Sequence, residues 1–83
     1  MSIRLMIADD HAVVRAGLCS MVSGSEIEIV AEASDGNEAV KLASEVSPDV
    51  IMLGVRLPES DGIACLGRLR SERPDVPVLM FSR

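Results

Sequence analysis

The sequence predicts an α/β domain built on a parallel β-sheet. Two apolar patterns alternate along the 83 residues: short runs of strand length, and longer stretches in which apolar residues recur every three to four positions. When a helix joins two successive strands, the chain returns to the same end of the sheet, so the two strands run parallel. Such crossovers are almost always right-handed. The length suits one small domain. Because aromatic residues make up only 1% of the chain, the core must be aliphatic.

The first helix lies between two predicted strands. Residues 3–8, which are apolar apart from Arg4, form a predicted strand that ends at Asp9 and Asp10. The helix that follows ends at residues 23–25, Ser-Gly-Ser. Its predicted apolar stripe consists of Val14, Leu18, Met21 and Val22. Residues 26–33 then alternate glutamates with apolar residues, which predicts a strand at the edge of the sheet with one side facing water.

The second helix leads into a strand without polar residues. Asp35 is a predicted N-cap with Glu38 three residues later, and Ser47-Pro48 ends the helix. Its predicted apolar stripe consists of Ala39, Leu42, Ala43 and Val46. Residues 50–53 are continuously apolar, as expected of a strand buried on both faces, and Gly54 follows them.

The third helix and the fourth strand repeat this arrangement. Asp61 is a predicted N-cap, and Arg73-Pro74 ends the helix. Its predicted apolar stripe consists of Ile63, Leu66 and Leu69. Residues 78–81 form a second strand that is predicted to be fully buried. The chain therefore reads β-α-β-α-β-α-β.

The composition excludes several classes of function. The net charge is −5 and the acidic residues are scattered, which argues against direct binding of nucleic acid, because phosphate neutralisation requires clustered lysines and arginines. No apolar run approaches the roughly 20 residues that span a bilayer, and the N-terminus lacks the pattern of a secretory signal. We therefore expect a cytoplasmic protein without a membrane partner, in which Cys19 and Cys65 are buried free thiols.

Ligands of open parallel sheets bind beyond the carboxyl ends of the strands. In this sequence those ends carry Asp9-Asp10, Ser34-Asp35, Gly54 and Ser82. Two carboxylates about 4 Å apart repel by on the order of 4 kcal/mol at an effective dielectric constant near 20. A divalent cation such as Mg²⁺ would relieve this repulsion.

Two interpretations of the adjacent aspartates remain open on the residues alone. Asp9 and Asp10 either cap the first helix or hold a divalent cation, and an Asp-Asp pair before a helix does not distinguish the two. The neighbouring His11 is expected to be a surface residue rather than a ligand.

Several segments occur in the order and spacing of a known family, and the sequence resembles the receiver domain of bacterial two-component response regulators. Those segments are IADDH at 7–11, EASDG at 32–36, DVI at 49–51, RLPESDG at 56–62 and PDVPVLMFS at 74–82. The first two are most similar to the subfamily whose output is a LuxR-type helix-turn-helix DNA-binding domain. The resemblance implies a flavodoxin-like, doubly wound parallel sheet with strand order 2-1-3-4.

The resemblance also implies a mechanism and a set of site residues. A partner histidine kinase would donate a phosphoryl group to an aspartate at the tip of the third strand, with Mg²⁺ bound. Asp10 would match the direct metal ligand, and Asp9 would act largely through water. The backbone carbonyl of Arg56 would match a further ligand, and Ser82 would match the residue that hydrogen-bonds the phosphoryl group and triggers the switch.

The sequence departs from this pattern at the phospho-acceptor position, which is Gly54. Glycine has no nucleophile and no carboxylate, so we expect a signalling module, not an enzyme, that is not phosphorylated and binds Mg²⁺ weakly or not at all. Residues 1–83 would form the N-terminal part of a receiver domain, without its last strand, its last two helices or any DNA-binding domain. The uncovered face and edge of the fourth strand would then favour self-association.

Two alternatives belong to other functional classes. One is a small flavodoxin-like, Mg²⁺-dependent phosphatase with Asp9 as nucleophile, although such enzymes usually carry their carboxylates one residue apart. The other is a structural dimerisation fragment.

Overall fold

The computed structural model of the chain describes residues 2–55 and 62–81. Within these residues the predicted alternation of strands and helices is confirmed. The elements are β1 (Ile3–Ala8), α1 (Ala12–Val22), β2 (Ile27–Ala33), α2 (Gly36–Val46), β3 (Val50–Gly54), α3 (Gly62–Glu72) and β4 (Val78–Phe81).

The four described strands form one parallel sheet in the order β2-β1-β3-β4, so the predicted strand order and the edge position of β2 are confirmed. The pairing of β1 with β2 steps from Leu5–Ile29 to Met6–Ala31, which leaves Val30 unpaired in a bulge. The predicted alternation of β2 therefore breaks there. The alanines after the bulge face the opposite side of the sheet from the isoleucines before it.

One face of the sheet packs against α2 and α3, which also contact each other. Small residues allow this close packing, because α2 presents alanines to the strands. The buried cluster on this face consists of Met6, Ala8, Ala33, Ala39, Val40, Ala43, Ile51, Leu53, Cys65 and Leu69.

Helix α1 lies on the other face. Arg15 of α1 reaches Glu32, which pairs with Ile7 on the side of β1 opposite to the α2–α3 core. None of the residues of α1 is fully buried. Met21, which lies in the predicted apolar stripe, is 80% exposed.

Strands β3 and β4 are less covered than their apolar sequences alone predict. Val50 and Met52 are only partly buried, so the expectation that β3 is buried on both faces was wrong. Leu79 of β4 is 58% exposed, which departs from a fully buried strand but agrees with the uncovered face expected of the fourth strand. Leu79 pairs with Met52, which pairs with Ile7, and this register places Leu79 on the α1 side. The physical reason is that α1 packs chiefly against β2 and leaves that side of β4 open.

The predicted N-cap of α2 is confirmed. The Asp35 carboxylate accepts a hydrogen bond from the Glu38 N–H at 2.8 Å, and the Glu38 carboxylate accepts one from the Ser34 N–H at 2.7 Å. Ser47 ends the helix in the left-handed conformation, with φ of 47°. The corresponding predicted cap of α3, Asp61, lies outside the described residues.

Helix α3 contacts the core through Leu66 and Leu69 of its predicted stripe, together with residues that were not predicted. Gly62, Cys65 and Leu69 are buried, whereas Ile63, which was predicted to lie in the apolar stripe, is 67% exposed. Of the helices in the described part of the chain, none has both the length and the apolar character needed to cross a membrane.

Candidate functional site

The sheet brings Asp9 and Gly54 together at its carboxyl edge. The neighbouring strands β1 and β3 pair through Ala8 and Leu53. Asp9 directly follows β1, and Gly54 is the last residue of β3. Asp9 is completely buried, and its backbone N–H donates to the Ala33 carbonyl of β2 at 3.0 Å. The buried acid is therefore fixed between β2 and the end of β3.

The two aspartates form a cluster with His11. The Asp9 Oδ1 atom accepts a hydrogen bond from the His11 backbone N–H at 2.7 Å. The His11 Nδ1 atom lies 2.8 Å from Asp10 Oδ1 and 3.6 Å from Asp9 Oδ1. His11 is 52% exposed, in keeping with the expected surface position, but its contacts with both acids were not predicted.

The N-cap position of α1 belongs to His11, whose side chain makes no capping hydrogen bond. Asp9 and Asp10 precede that position, so the simple helix-cap interpretation does not describe where they lie. A ligand atom from each of Asp9, Asp10 and His11 can be chosen so that all three lie within 4.8 Å of one another. Two carboxylates at this spacing suit a hard divalent cation, which prefers oxygen ligands.

Gly54 faces the buried carboxylate. A Cβ atom built on Gly54 would lie 3.2 Å from Asp9 Oδ2 and 3.3 Å from the Ala8 carbonyl oxygen. A side chain at position 54 would thus start directly against Asp9. Glycine contributes no donor there, so within the described residues the site offers a cation two carboxylates and lacks a third.

Helix α3 starts directly on the tip of β3. The Gly62 N–H donates to the Val55 carbonyl at 2.7 Å. A Cβ atom at Gly62 would overlap the Gly54 carbonyl oxygen and would lie 2.8 Å from Val55 Cα. Only glycine permits this approach. The only signal of this close approach in the sequence is a glycine next to a predicted cap.

Arg15 also contacts the site and was not singled out from the sequence. Its guanidinium donates to the backbone carbonyl of Asp9 and pairs with Glu32. A single charged residue in an otherwise apolar helix was the available signal. Two further predicted site residues, Arg56 and Ser82, lie outside the described residues.

The two cysteines are free and differ in burial, since Cys65 is buried as predicted and Cys19 only partly so. Burial raises the pKa of the Cys65 thiol above its ordinary value. Burial and, after it, the Glu32 carboxylate raise the pKa of the Cys19 thiol. Both thiols therefore stay protonated near neutral pH, which makes them poor nucleophiles.

Comparison with known proteins gives consistent matches along the chain. The family profile described as response regulator receiver domain matches residues 5–83. The chain is 39% identical over 80 residues to the chemotaxis protein CheY of Listeria monocytogenes, a match that covers 96% of this chain and 67% of that protein. It is 35% identical over 83 residues to the response regulator protein VraR of Staphylococcus aureus, covering 99% of this chain and 40% of that protein.

Solved structures agree with these matches. A two-component response regulator of the LuxR family from Aurantimonas superposes with a TM-score of 0.92 at 31% identity, covering 99% of this chain and 59% of that one. The response regulator domain of Thermotoga maritima CheB also gives 0.92, at 34% identity, covering 99% of this chain and 61% of that one. The chain thus spans between two fifths and two thirds of the lengths of these four proteins.

Proposed function

The chain belongs to the response regulator receiver domain family of two-component systems, and from this premise we propose that Gly54 occupies its phospho-acceptor position. The chain would then be a receiver module that takes no phosphoryl group at that position. It would signal through contacts with protein partners, a histidine kinase among them, and would act on an output that regulates transcription.

One observation carries this proposal. A Cβ atom on Gly54 would lie 3.2 Å from Oδ2 of the buried Asp9 carboxylate. Both residues lie at the carboxyl edge of a parallel sheet. An aspartate in that place would complete a three-carboxylate site, and its carboxylate would be the nucleophile. Without a side chain there is no oxygen at position 54 to form an acyl phosphate.

The remaining residues fit a divalent cation in part. Asp9 and Asp10 would hold it, and the Arg56 carbonyl would be a further ligand. Mg²⁺, when bound, would neutralise charge on the carboxylates and on an incoming phosphoryl group. Asp9 itself is oriented by the His11 N–H at 2.7 Å, so the first carboxylate is held in place before any cation binds. With two carboxylates instead of three, we expect weak or no binding of Mg²⁺.

Titration calorimetry with MgCl₂ tests the metal-binding part of the proposal. We expect Gly54→Asp to bind Mg²⁺ at least about tenfold more tightly than the unmodified chain, because a third hard ligand is added. Gly67→Asp is the matched control, since it adds the same charge on α3 where a Cβ has no neighbour within 4 Å. Equal Mg²⁺ affinity of the unmodified chain and Gly54→Asp would contradict the proposal.

The phosphatase alternative requires Asp9 to attack a substrate. The complete burial of Asp9 weighs against that role, because a nucleophile must reach the phosphorus atom. A phosphatase assay with and without Mg²⁺ separates the two functions: sustained release of phosphate would favour the alternative.

A further inference from the structure

Arg15 connects three elements at the candidate site. It is the only charged residue in the sequence of α1, and its side chain is 19% exposed. Its Nη1 atom donates a hydrogen bond to the backbone carbonyl of Asp9, at the end of β1. Its Nε atom lies 3.4 Å from Glu32 Oε1 on β2. The guanidinium therefore joins the turn formed by Asp9 and Asp10, here called the acidic turn, to the edge strand β2.

These contacts hold the peptide groups on both sides of Asp9. The Asp9 N–H is held by the Ala33 carbonyl, and the Asp9 C=O is held by Arg15. That carbonyl belongs to the same planar peptide unit as the Asp10 N–H. Because that plane is held at its oxygen, Arg15 restrains the direction in which the chain continues to Asp10, and with it the position from which the Asp10 side chain starts.

An arginine is required for this arrangement. Its planar guanidinium offers several N–H donors in a fixed fork, so one side chain can donate to a carbonyl and to a carboxylate at the same time. A lysine in the same position would keep the positive charge. Its ammonium group is a single point of contact and would not hold both Asp9 and Glu32 in this geometry.

The effect of Arg15 on the site is expected to be geometric rather than electrostatic. Arg15 is paired with the oppositely charged Glu32, so the two charges largely cancel at the carboxylates. Glu32 is also 45% exposed, and solvent screens such a pair. Arg15→Lys keeps the charge and removes the fork, and therefore isolates the geometric part.

We propose that Arg15, held by Glu32, is a positioning residue that sets the mutual orientation of the Asp9 and Asp10 carboxylates for a divalent cation. This inference rests on the proposed function for the identity of the cation. Residues that orient metal ligands without touching the metal usually change metal affinity by about 10- to 100-fold when altered.

The test measures Mg²⁺ affinity by calorimetry in the Gly54→Asp chain, with and without Arg15→Lys, on folded protein well below its unfolding temperature. We expect Arg15→Lys to weaken Mg²⁺ binding by about tenfold or more. Arg68→Lys is the matched control, because Arg68 contacts Asn37 between α2 and α3 rather than the acidic turn. A residue with a merely structural role would lower the unfolding temperature and leave the affinity unchanged.

The outcomes separate this inference from the proposed function. If Gly54→Asp binds Mg²⁺ and Arg15→Lys leaves the affinity unchanged, the inference is overturned and the proposed function stands. If Gly54→Asp binds no Mg²⁺, the proposed metal site is overturned, and with it the cation part of the inference; NMR of the unmodified chain then tests the positioning contact of Arg15 alone. A shift of the Asp10 amide ¹⁵N signal in Arg15→Lys, absent in Arg68→Lys, supports the positioning contact, and an unchanged signal overturns it.

Discussion

The residue at position 54 determines both the steric crowding and the negative charge next to Asp9. Its backbone φ is not positive, so the conformation would accept a side chain. The contacts would be tight, because a Cβ atom there approaches Asp9 Oδ2 to 3.2 Å. An aspartate would add a third negative charge beside a completely buried one. The glycine therefore relieves both crowding and repulsion in the absence of a cation.

Comparing Gly54→Asp with Gly54→Asn separates these two effects. The variants have nearly the same shape and differ in charge. Without Mg²⁺ we expect Gly54→Asp to have a free energy of unfolding about 1–3 kcal/mol lower than that of Gly54→Asn, because like charges are held together. Both variants should be less stable than the unmodified chain.

Urea unfolding with a chelator, and again with excess MgCl₂, makes the measurement. Mg²⁺ should stabilise Gly54→Asp selectively, since a ligand that binds only the folded state raises its stability. Equal stability of the two variants without Mg²⁺ would contradict the repulsion argument.

Part of this site could be predicted from single residues. Asp9, Asp10 and Gly54 follow from their places at the ends of predicted strands, together with the resemblance to receiver domains. The contacts of Arg15 with Asp9 could not be predicted, because they depend on how α1 packs across β2. Sequence spacing carries no information about that packing.

At the scale of elements, α3 depends on Gly62 for its place. The first residue of the helix lies against the backbone of Gly54 and Val55, closer than any Cβ atom would permit. This contact joins α3 to the tip of the strand that carries Gly54, the proposed acceptor position. A shift of α3 would therefore be transmitted directly to Gly54.

Two glycine-to-alanine variants of α3 test this dependence. Gly62→Ala should lower the free energy of unfolding by about 1–3 kcal/mol, because the added methyl group meets backbone that cannot move alone. Gly67→Ala, where nothing lies within 4 Å, should raise it by about 0.5–1 kcal/mol through helix propensity. Urea unfolding of both variants makes the comparison. Equal stability of Gly62→Ala and Gly67→Ala would contradict this dependence.

The order of elements could be predicted because strand and helix periodicities differ clearly in this sequence. Which apolar residues are covered could not. Met21, Ile63 and Leu79 all lie in apolar patterns, yet each is more than half exposed. Periodicity identifies the apolar side of an element, whereas coverage depends on a neighbouring element. The bulge at Val30 reversed the faces of β2 for a similar reason, since alternation alone does not reveal an extra residue.

At the scale of the whole molecule, the face that carries α1 has exposed apolar side chains. Leu79 on β4 is 58% exposed and Ile3 on β1 is 45% exposed, while Val13 and Met21 of α1 are more than three quarters exposed. In the described sheet β4 is also an edge strand. Exposed apolar surface next to an open edge favours association between protein chains.

We predict that the chain self-associates as its concentration rises, and that Leu79→Lys weakens this association. The lysine places a charge on the exposed face and blunts the edge strand. Ile63→Lys is the control, because Ile63 is equally apolar and 67% exposed but lies on α3, across the sheet. Light scattering over a concentration series makes the comparison. A monomer at every concentration, or equal effects of both lysines, would contradict the prediction.

We propose that this receiver domain has no phospho-acceptor at position 54. Incubation with a small-molecule phosphodonor and Mg²⁺, followed by intact-mass analysis, tests it directly with the unmodified chain and Gly54→Asp side by side. We expect Gly54→Asp to gain the mass of one phosphoryl group and the unmodified chain to gain none. A phosphoryl adduct on the unmodified chain would contradict it.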